Sequence, residues 1–382
     1  MITLELPRTL QARLRLGHPW VYRNQVPAPP DLAAGTWVQV RCGSFRAYGL
    51  WEREGAIAVR LFARRQIPDA DWVAARVAEA WAVRAAVRRT PTSAYRWIYG
   101  ESDGLPGVVV DLYGEYAVIR TYVQSVAGLV PWLADALHAH TPLRGILWRR
   151  PGSRAEPLWG RPPPADLTVE EHGLLFAADL LAGQKTGLYL DQRENRRTLA
   201  PWCAGRRVLD CFCYTGGFAL YAARAGATSI TACDAAPGAV QAAQDNFRLN
   251  RLDPAQHTFL VDDCFDLLAR FAAEGRRFDV VILDPPSLAR RRGSRRAAER
   301  AYVRLNALAL RCVEPGGLLA SASCTAQISP AAFREALAQA ARRADRRLLI
   351  LHEGGQAADH PVAAHFPEGR YLKFVIGWVS SR

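Results

Sequence analysis

The sequence predicts an α/β protein: a Rossmann-like, doubly wound sheet in the C-terminal half, preceded by a small central α/β region and an N-terminal β-rich module. Three observations carry this. From about Leu180 onward, short apolar runs alternate with stretches of helical length, the pattern of a parallel sheet covered on both faces. The first of those runs, Val208-Leu209-Asp210, leads through a glycine-bearing turn into a helix over 219–225, which is how such sheets present a helix N-terminus to a ligand. Before Pro68, by contrast, runs such as Trp37-Val38-Gln39-Val40 and the apolar stretch 56–62 are broken by Gly and Pro, the mark of short strands and turns.

The expected regions are 1–68, 69–179 and 180–382. In the first, Arg13, Arg15, His18, Trp20, Tyr22 and Arg23 interleave basic and aromatic side chains, which suits RNA backbone and base stacking. A packed core would use the same aromatics. The second region reads as a helix over 71–88, strands over 107–111 and 116–120, and a helix near 126–140. The run 151–164, rich in Pro, Gly and Arg, is expected to be a loop leading to strands at 167–169 and 174–176. In the third region the strand candidates are 207–210, 229–232, 257–260, 278–283, 317–321 and 347–351.

The totals exclude several classes. Of 382 residues, 50% are hydrophobic and 22% charged, far from the profile of a disordered chain. No apolar run approaches the ~20 residues that span a bilayer, and Met1-Ile2-Thr3-Leu4 does not open a secretory leader, so a cytoplasmic protein is expected. The eight cysteines contain no Cys-x-x-Cys pair, which indicates neither a zinc site nor a disulfide framework, and no metal is expected. A formal charge of +13 and a pI near 9.7 point to a polyanionic partner, nucleic acid first. Lysine stands only at Lys185 and Lys373, so part of the arginine excess reflects composition bias.

The turn Asp210-Cys211-Phe212-Cys213-Tyr214-Thr215-Gly216-Gly217-Phe218 is neither Gly-x-Gly-x-x-Gly nor a phosphate-binding loop with its Lys-Ser/Thr pair. Dinucleotides and nucleoside triphosphates are thereby disfavoured. Asp234 closes the second strand, where an acidic side chain accepts the two ribose hydroxyls in such sheets. Asp263, beyond the third strand, is placed to accept from an adenine amino group, and Asp284-Pro285-Pro286 ends the fourth. Any one of these would also serve as a helix cap. The ordered set at successive strand ends points to a nucleoside ligand.

With these residues the third region resembles a class I S-adenosylmethionine-dependent methyltransferase, with Asp210 and Gly216 near the methionine moiety. Across nearly the whole chain, Gly17-His18-Pro19-Trp20-Val21-Tyr22, Asp103-Gly104-Leu105-Pro106-Gly107, the stretch 184–193 and the stretch 366–373 resemble one bacterial family. It is the large-subunit (23S) ribosomal RNA cytosine-C5 methyltransferases with an N-terminal PUA domain. The resemblance implies a PUA module, a central domain and a catalytic domain, S-adenosyl-L-methionine as cofactor, ribosomal RNA as partner, and a homodimer. It also implies a cofactor site drawn from Thr186, Asp210, Tyr214, Gly216, Asp234, Asp263 and Asp284, with Lys185, Thr186 and 190–193 in a segment that closes the pocket.

Cytosine C5 is a poor nucleophile, so its methylation requires a thiolate to add at C6 first. Cys324 in Ser323-Cys324-Thr325, just past the fifth strand, corresponds to the family's nucleophile, although a lone cysteine after a strand is by itself more often packing. Asp284 is the expected partner at cytosine N3. Many related enzymes carry a second cysteine in that motif, whereas here Pro286 and Ser287 follow, so the base that removes the C5 proton is not identified. The basic run 289–296 is a candidate phosphate clamp. Two other functions compete: base amino-group methylation, disfavoured by Ser287 where an aromatic residue is expected, and a non-catalytic RNA-binding assembly factor, disfavoured by the intact Asp210, Asp234, Asp284 and Cys324.

Overall fold

A computed structural model of the chain describes residues 1–181, 183, 186–288 and 295–381. It packs as two compact units. The first comprises Met1–Gly173, Ala178–Leu190 and Ala358–Gly369, and the second Leu174–Ala177, Asp191–Ala357 and Arg370–Arg382.

The first unit holds two five-stranded sheets. Strands β1 (Ile2–Glu5), β2 (Trp20–Tyr22), β3 (Trp37–Cys42), β4 (Phe45–Trp51) and β5 (Ile57–Ala63), with the short helix α1 (Gln11–Arg15), form the β-rich module in the order β1-β3-β4-β5-β2. Alternate residues Val38, Val40 and Cys42 of β3 are fully buried, as expected of a strand in a mixed sheet with one face covered and one solvated; β3 pairs in parallel with β1 and antiparallel with β4. The second sheet consists of β6 (Ala94–Tyr99), β7 (Val108–Tyr113), β8 (Tyr116–Thr121), β9 (Gly145–Arg149) and β10 (Ala155–Gly160). Helices α2 (Ala70–Val83), α3 (Ala85–Arg88) and α4 (Val130–His140) supply Val73, Val77, Val87, Leu133 and Leu137 to its core.

The structure differs from three local expectations. The helix expected over 71–88 is broken at Arg84, whose buried guanidinium donates to both carboxylate oxygens of Asp103 at 2.7 Å each. Two nitrogens of Arg96 grip Asp111 in the same way at 2.7 and 2.9 Å, and the Arg96 amide donates to Asp359 at 2.8 Å, tying the returning segment Ala358–Gly369 into this unit. The expected loop 151–164 contains edge strand β10; Pro157 is tolerated because it sits at a register shift on the outermost strand. Several of the basic and aromatic residues near the N-terminus are engaged within the fold, while Arg15 is exposed. His18 is 4% exposed and lies 3.2 Å from Glu368, Trp20 donates to Glu101 at 2.9 Å and stands edge-on to Phe366, and Arg23 donates to the carbonyls of Gly55 and Glu52.

Exposed basic charge in this module collects elsewhere. Ser44, Arg46, Arg64 and Arg65 line a shallow cavity of about 510 Å³, and no carboxylate pairs with these three arginines among the described residues.

The strands expected at 167–169 and 174–176 are present as β11 (Thr168–Glu171), in the first unit, and β12 (Leu174–Ala177), in the second. The second unit is built on a seven-stranded sheet. Its strands are β13 (Arg207–Cys211), β14 (Ser229–Asp234), β15 (Thr258–Val261), β16 (Phe278–Leu283), β17 (Val313–Ser323), β18 (Arg346–Gly354) and β19 (Lys373–Ser381), in the order β15-β14-β13-β16-β17-β19-β18. All neighbours are parallel except those of β19.

Helices α5 (Arg193–Leu199), α6 (Gly217–Arg224), α7 (Pro237–Leu249), α8 (Cys264–Ala273), α9 (Arg295–Arg311) and α10 (Pro330–Arg343) complete this unit. Leu209, Val281, Leu319 and Val375 join Leu267, Tyr302 and Phe333 of α8, α9 and α10 in one core. Alternate residues Val208, Val280 and Leu318 are equally buried, so the interior strands read as unbroken apolar runs. Strand β19, not anticipated from the sequence, inserts between β17 and β18; at Gly377 a Cβ would come within 2.5 Å of the Leu348 side chain.

Candidate active site

Because β13, β14, β16 and β17 run parallel, the residues at their C-terminal ends share one edge of the sheet. Asp210 comes from β13, Asp234 from β14, Asp284 follows β16 and Cys324 follows β17. The chain leaves β13 toward β14 and β15 on one side and resumes with β16 and β17 on the other, the switch point where such sheets open a crevice.

The turn after β13 is held under strain. Phe212 and Tyr214 take φ of 63° and 48°, a region that costs non-glycine residues ~1–3 kcal/mol each. Interactions with neighbouring loops offset this: Phe212 N–H points to Cys264 Sγ at 3.2 Å, and Tyr214 N–H donates to Asp234 Oδ2 at 3.0 Å. Gly216 has φ 77°, and a Cβ there would lie 2.9 Å from that of Ala243, so α7 packs directly against the turn.

Asp210 is 1% exposed. Its Oδ2 accepts from Ala219 N–H in the first turn of α6 at 3.0 Å, and its Oδ1 has no partner among the described residues. Burial above all, reinforced by the fields of Asp284 and Asp234, pushes its pKa up to about 8 against the Ala219 amide and Arg196. Among the described residues Asp234 accepts only the amides of Tyr214 and Ala236, and a carboxylate has roughly four acceptor sites, leaving capacity for a diol. Asp263 Oδ1 caps α8 by accepting from Phe265 and Asp266 N–H at 2.8 and 3.2 Å, while Oδ2 makes no hydrogen bond among the described residues.

Asp284 is gripped from a direction the sequence did not reveal. Gln192 Nε2 donates to its Oδ1 at 2.8 Å, and Asn195 Nδ2 donates in turn to Gln192 Oε1 at 2.6 Å and to the Gly355 carbonyl at 3.0 Å. Both amides are almost fully buried, at 2% and 3% exposure, so they hold the carboxylate in one orientation. The available signal was a pair of amide side chains three residues apart at the start of a helix, which place both on one helical face.

Of the eight cysteines, all described, seven are buried and Cys324 alone is half-exposed. Its thiol points to the Pro285 carbonyl at 3.9 Å. The next residue is anchored by three groups: Thr325 Oγ1 lies 2.9 Å from the Tyr302 hydroxyl and 3.2 Å from that of Ser287, and its carbonyl accepts from Lys373 Nζ at 2.7 Å. Asp210, Tyr214, Gly216, Asp234, Asp263, Asp284 and Cys324 thus belong to one unit and one end of its sheet. Thr186 belongs to the first unit, where its buried hydroxyl engages Asp111 Oδ2 and lies 3.0 Å from the Tyr113 hydroxyl. Lys185 and residues 289–294 of the expected basic clamp lie outside the described residues.

A model of the S-adenosylmethionine-dependent methyltransferases matches residues 114–352, and one of a PUA-like domain matches 4–64. Ribosomal RNA large subunit methyltransferase I of Shewanella denitrificans is 35% identical, with 99% of each chain covered. The chain belongs to this methyltransferase family. The ribosomal RNA large subunit methyltransferase of Deinococcus radiodurans is 37% identical, covering 98% of this enzyme and 96% of its own length. A solved chain described as a SAM-dependent methyltransferase from Streptococcus mutans, 22% identical, covers 99% of the enzyme with a TM-score of 0.90 and shares its fold.

The residues present fit the cofactor. S-adenosylmethionine carries a sulfonium, an ammonium, a ribose diol and an adenine amino group, each a cation or a hydrogen-bond donor. The methyltransferase offers acceptors to match: the partnerless buried oxygen of Asp210, the spare acceptor sites of Asp234 and the open Oδ2 of Asp263.

Proposed function

We propose that this enzyme methylates C5 of a cytosine in large-subunit (23S) ribosomal RNA through a transient bond between Cys324 Sγ and cytosine C6. The observation that carries this reading is the accessibility of Cys324, the one half-exposed thiol among eight, at the sheet edge shared with Asp284. The names of the relatives from Shewanella denitrificans and Deinococcus radiodurans support the RNA substrate.

Asp210, Asp234 and Asp263 hold S-adenosylmethionine, with Tyr214 and Gly216 shaping the turn around it; the cofactor supplies an electrophilic methyl group. The Cys324 thiolate adds to C6, breaking the C5–C6 double bond and placing the electron pair at C5. Asp284, oriented by Gln192, shares a proton with N3 and so draws charge out of the ring as the adduct forms. After C5 is methylated, transfer of its proton to water and breakage of the Sγ–C6 bond restore the aromatic ring and free the thiolate. A base must leave its stack to reach the thiol, which favours unpaired loop RNA as substrate.

Residues 1–68 act as the RNA-holding module, 69–179 as a connecting domain and 180–382 as the catalytic domain. The unpaired arginines 46, 64 and 65 support an RNA-backbone contact on the first. A homodimer acting in the cytoplasm completes the proposal. It is supported by Leu349, Ile350 and Leu351, 36–47% exposed on the outermost strand β18, an edge suited to pairing. Cys324→Ala tests the chemistry: the variant is expected to bind S-adenosylmethionine normally and to lose methylation by at least about a thousandfold, as loss of a nucleophile entails. Normal turnover by that variant would rule out the covalent route and favour amino-group methylation.

A further inference from the structure

We infer that Lys373 is the positioning residue for Cys324: its buried ammonium fixes the turn that carries the thiol and holds that thiol as the thiolate. The inference rests on Cys324 being the nucleophile. Lys373 opens β19 and is paired across the sheet with Ser323, the last residue of β17. Its side chain is 4% exposed, and Nζ donates to the carbonyls of Thr325 at 2.7 Å and Tyr371 at 2.8 Å. Both acceptors are neutral. No carboxylate pairs with this cation among the described residues.

A buried cation without a counter-ion is costly and is retained where an anion is to be stabilised. Several ionisable groups lie around it. Cys324, just after β17, acts on Lys373 with a favourable field, whereas Arg370 acts against it. Tyr302 on α9 reaches Thr325 and feels both Cys324 and Asp284, and burial pushes its hydroxyl up to about 12, so it stays neutral. Asp191 is engaged with the Tyr371 hydroxyl. Burial brings the Lys373 pKa down to about 8, and anionic Cys324 raises it, so the two charges favour each other.

The composition supports the same assignment. Two of 49 basic residues are lysine, and one of them occupies this buried position. An arginine presents a planar, widely spread fork, whereas an ammonium donates tetrahedrally to two nearby carbonyls and keeps its third hydrogen.

The experiment is the pH dependence of iodoacetamide alkylation of Cys324 in the full chain, followed by mass spectrometry of its peptide. The seven buried thiols give a low background. The wild-type midpoint is expected below the ~8.5 of a free cysteine. Lys373→Met is expected to raise it by about one pH unit or more and to slow methylation at pH 7 about tenfold, with cofactor affinity unchanged. Lys373→Arg, which keeps the charge, is expected to keep most of the lowered midpoint. A wild-type midpoint at or above ~8.5 overturns the inference without any variant. So does a folded Lys373→Met protein that titrates like wild type. The covalent reading fails separately: if Cys324→Ala still methylates while the thiol midpoint is low and Lys373-dependent, the pairing stands and the nucleophile does not. An ordinary midpoint with an inactive Cys324→Ala means the reverse: the nucleophile stands and the pairing does not.

Discussion

If Asp210 holds the cationic part of the cofactor, as proposed, cofactor binding is expected to depend on pH in a direction set by the burial of that carboxyl. Its folded pKa stands at about 8 against an ordinary value of 3.8, so without ligand at pH 7 the side chain is mostly protonated. A bound ammonium or sulfonium favours the carboxylate, and binding must therefore expel a proton. If only the ionised form binds, affinity rises about ninefold between pH 6 and 7, and about 0.9 proton is released per cofactor at pH 7. The ligand's own amino group stays charged in that window and would otherwise weaken binding as pH rises. Calorimetry of S-adenosylmethionine binding in buffers of different ionisation enthalpy measures the proton directly, with Asp210→Asn as the control that should release none. The same group makes the ligand-free protein lose stability as pH rises from about 4 to about 8, since the folded state holds a proton there that the unfolded state has given up. A flat affinity across pH 6–7 with no proton released would falsify the assignment of Asp210 to the cationic part of the cofactor.

Further outcomes follow from the geometry. Gly216→Ala forces a Cβ to 2.9 Å from that of Ala243 at φ 77°, and should cost ~2 kcal/mol or more, read as a melting temperature several degrees lower and cofactor affinity at least tenfold weaker. Reversing the charges of Arg46, Arg64 and Arg65 together to Glu should raise KM for RNA with cofactor affinity unchanged. It should also flatten the salt dependence of RNA binding by about 2–3 in log–log slope, as expected for three lost phosphate contacts. An unchanged slope would place the RNA on another surface.

The central sheet was legible where burial on both faces leaves an uninterrupted apolar run. Residues 278–283 were anticipated to the residue, and the strand-end positions of Asp210, Asp234 and Asp284 followed from such runs, whereas Cys324 was singled out by the family resemblance and not by its place after a strand. Strand β19 escaped because it starts at a lysine and carries Gly377, which reads as a strand-weakening residue until Leu348 is seen filling the space beside it. Strand β6 was hidden by Arg96, a buried charge that makes sense only once Asp111 is opposite it. The aromatic and basic stretch 13–23 has the composition of an RNA surface, and only the partners Glu101, Phe366 and Glu368, distant in sequence, show that the fold engages His18 and Trp20, and Arg13 in part, while Arg15 stays exposed. Gln192 and Lys373 were visible as members of motifs and not as the groups that hold Asp284 and Thr325, since that depends on contacts 92 and 48 residues away.

The most direct test of the covalent route uses large-subunit RNA that the enzyme methylates, transcribed with 5-fluorocytosine in place of cytosine. Fluorine cannot leave C5 as a proton does, so the reaction should stop with the RNA bonded to protein. Denaturing gels should show a complex that requires S-adenosylmethionine, and digestion should locate the bond at Cys324. Absence of any such complex on this RNA would contradict attack by a thiol on C6.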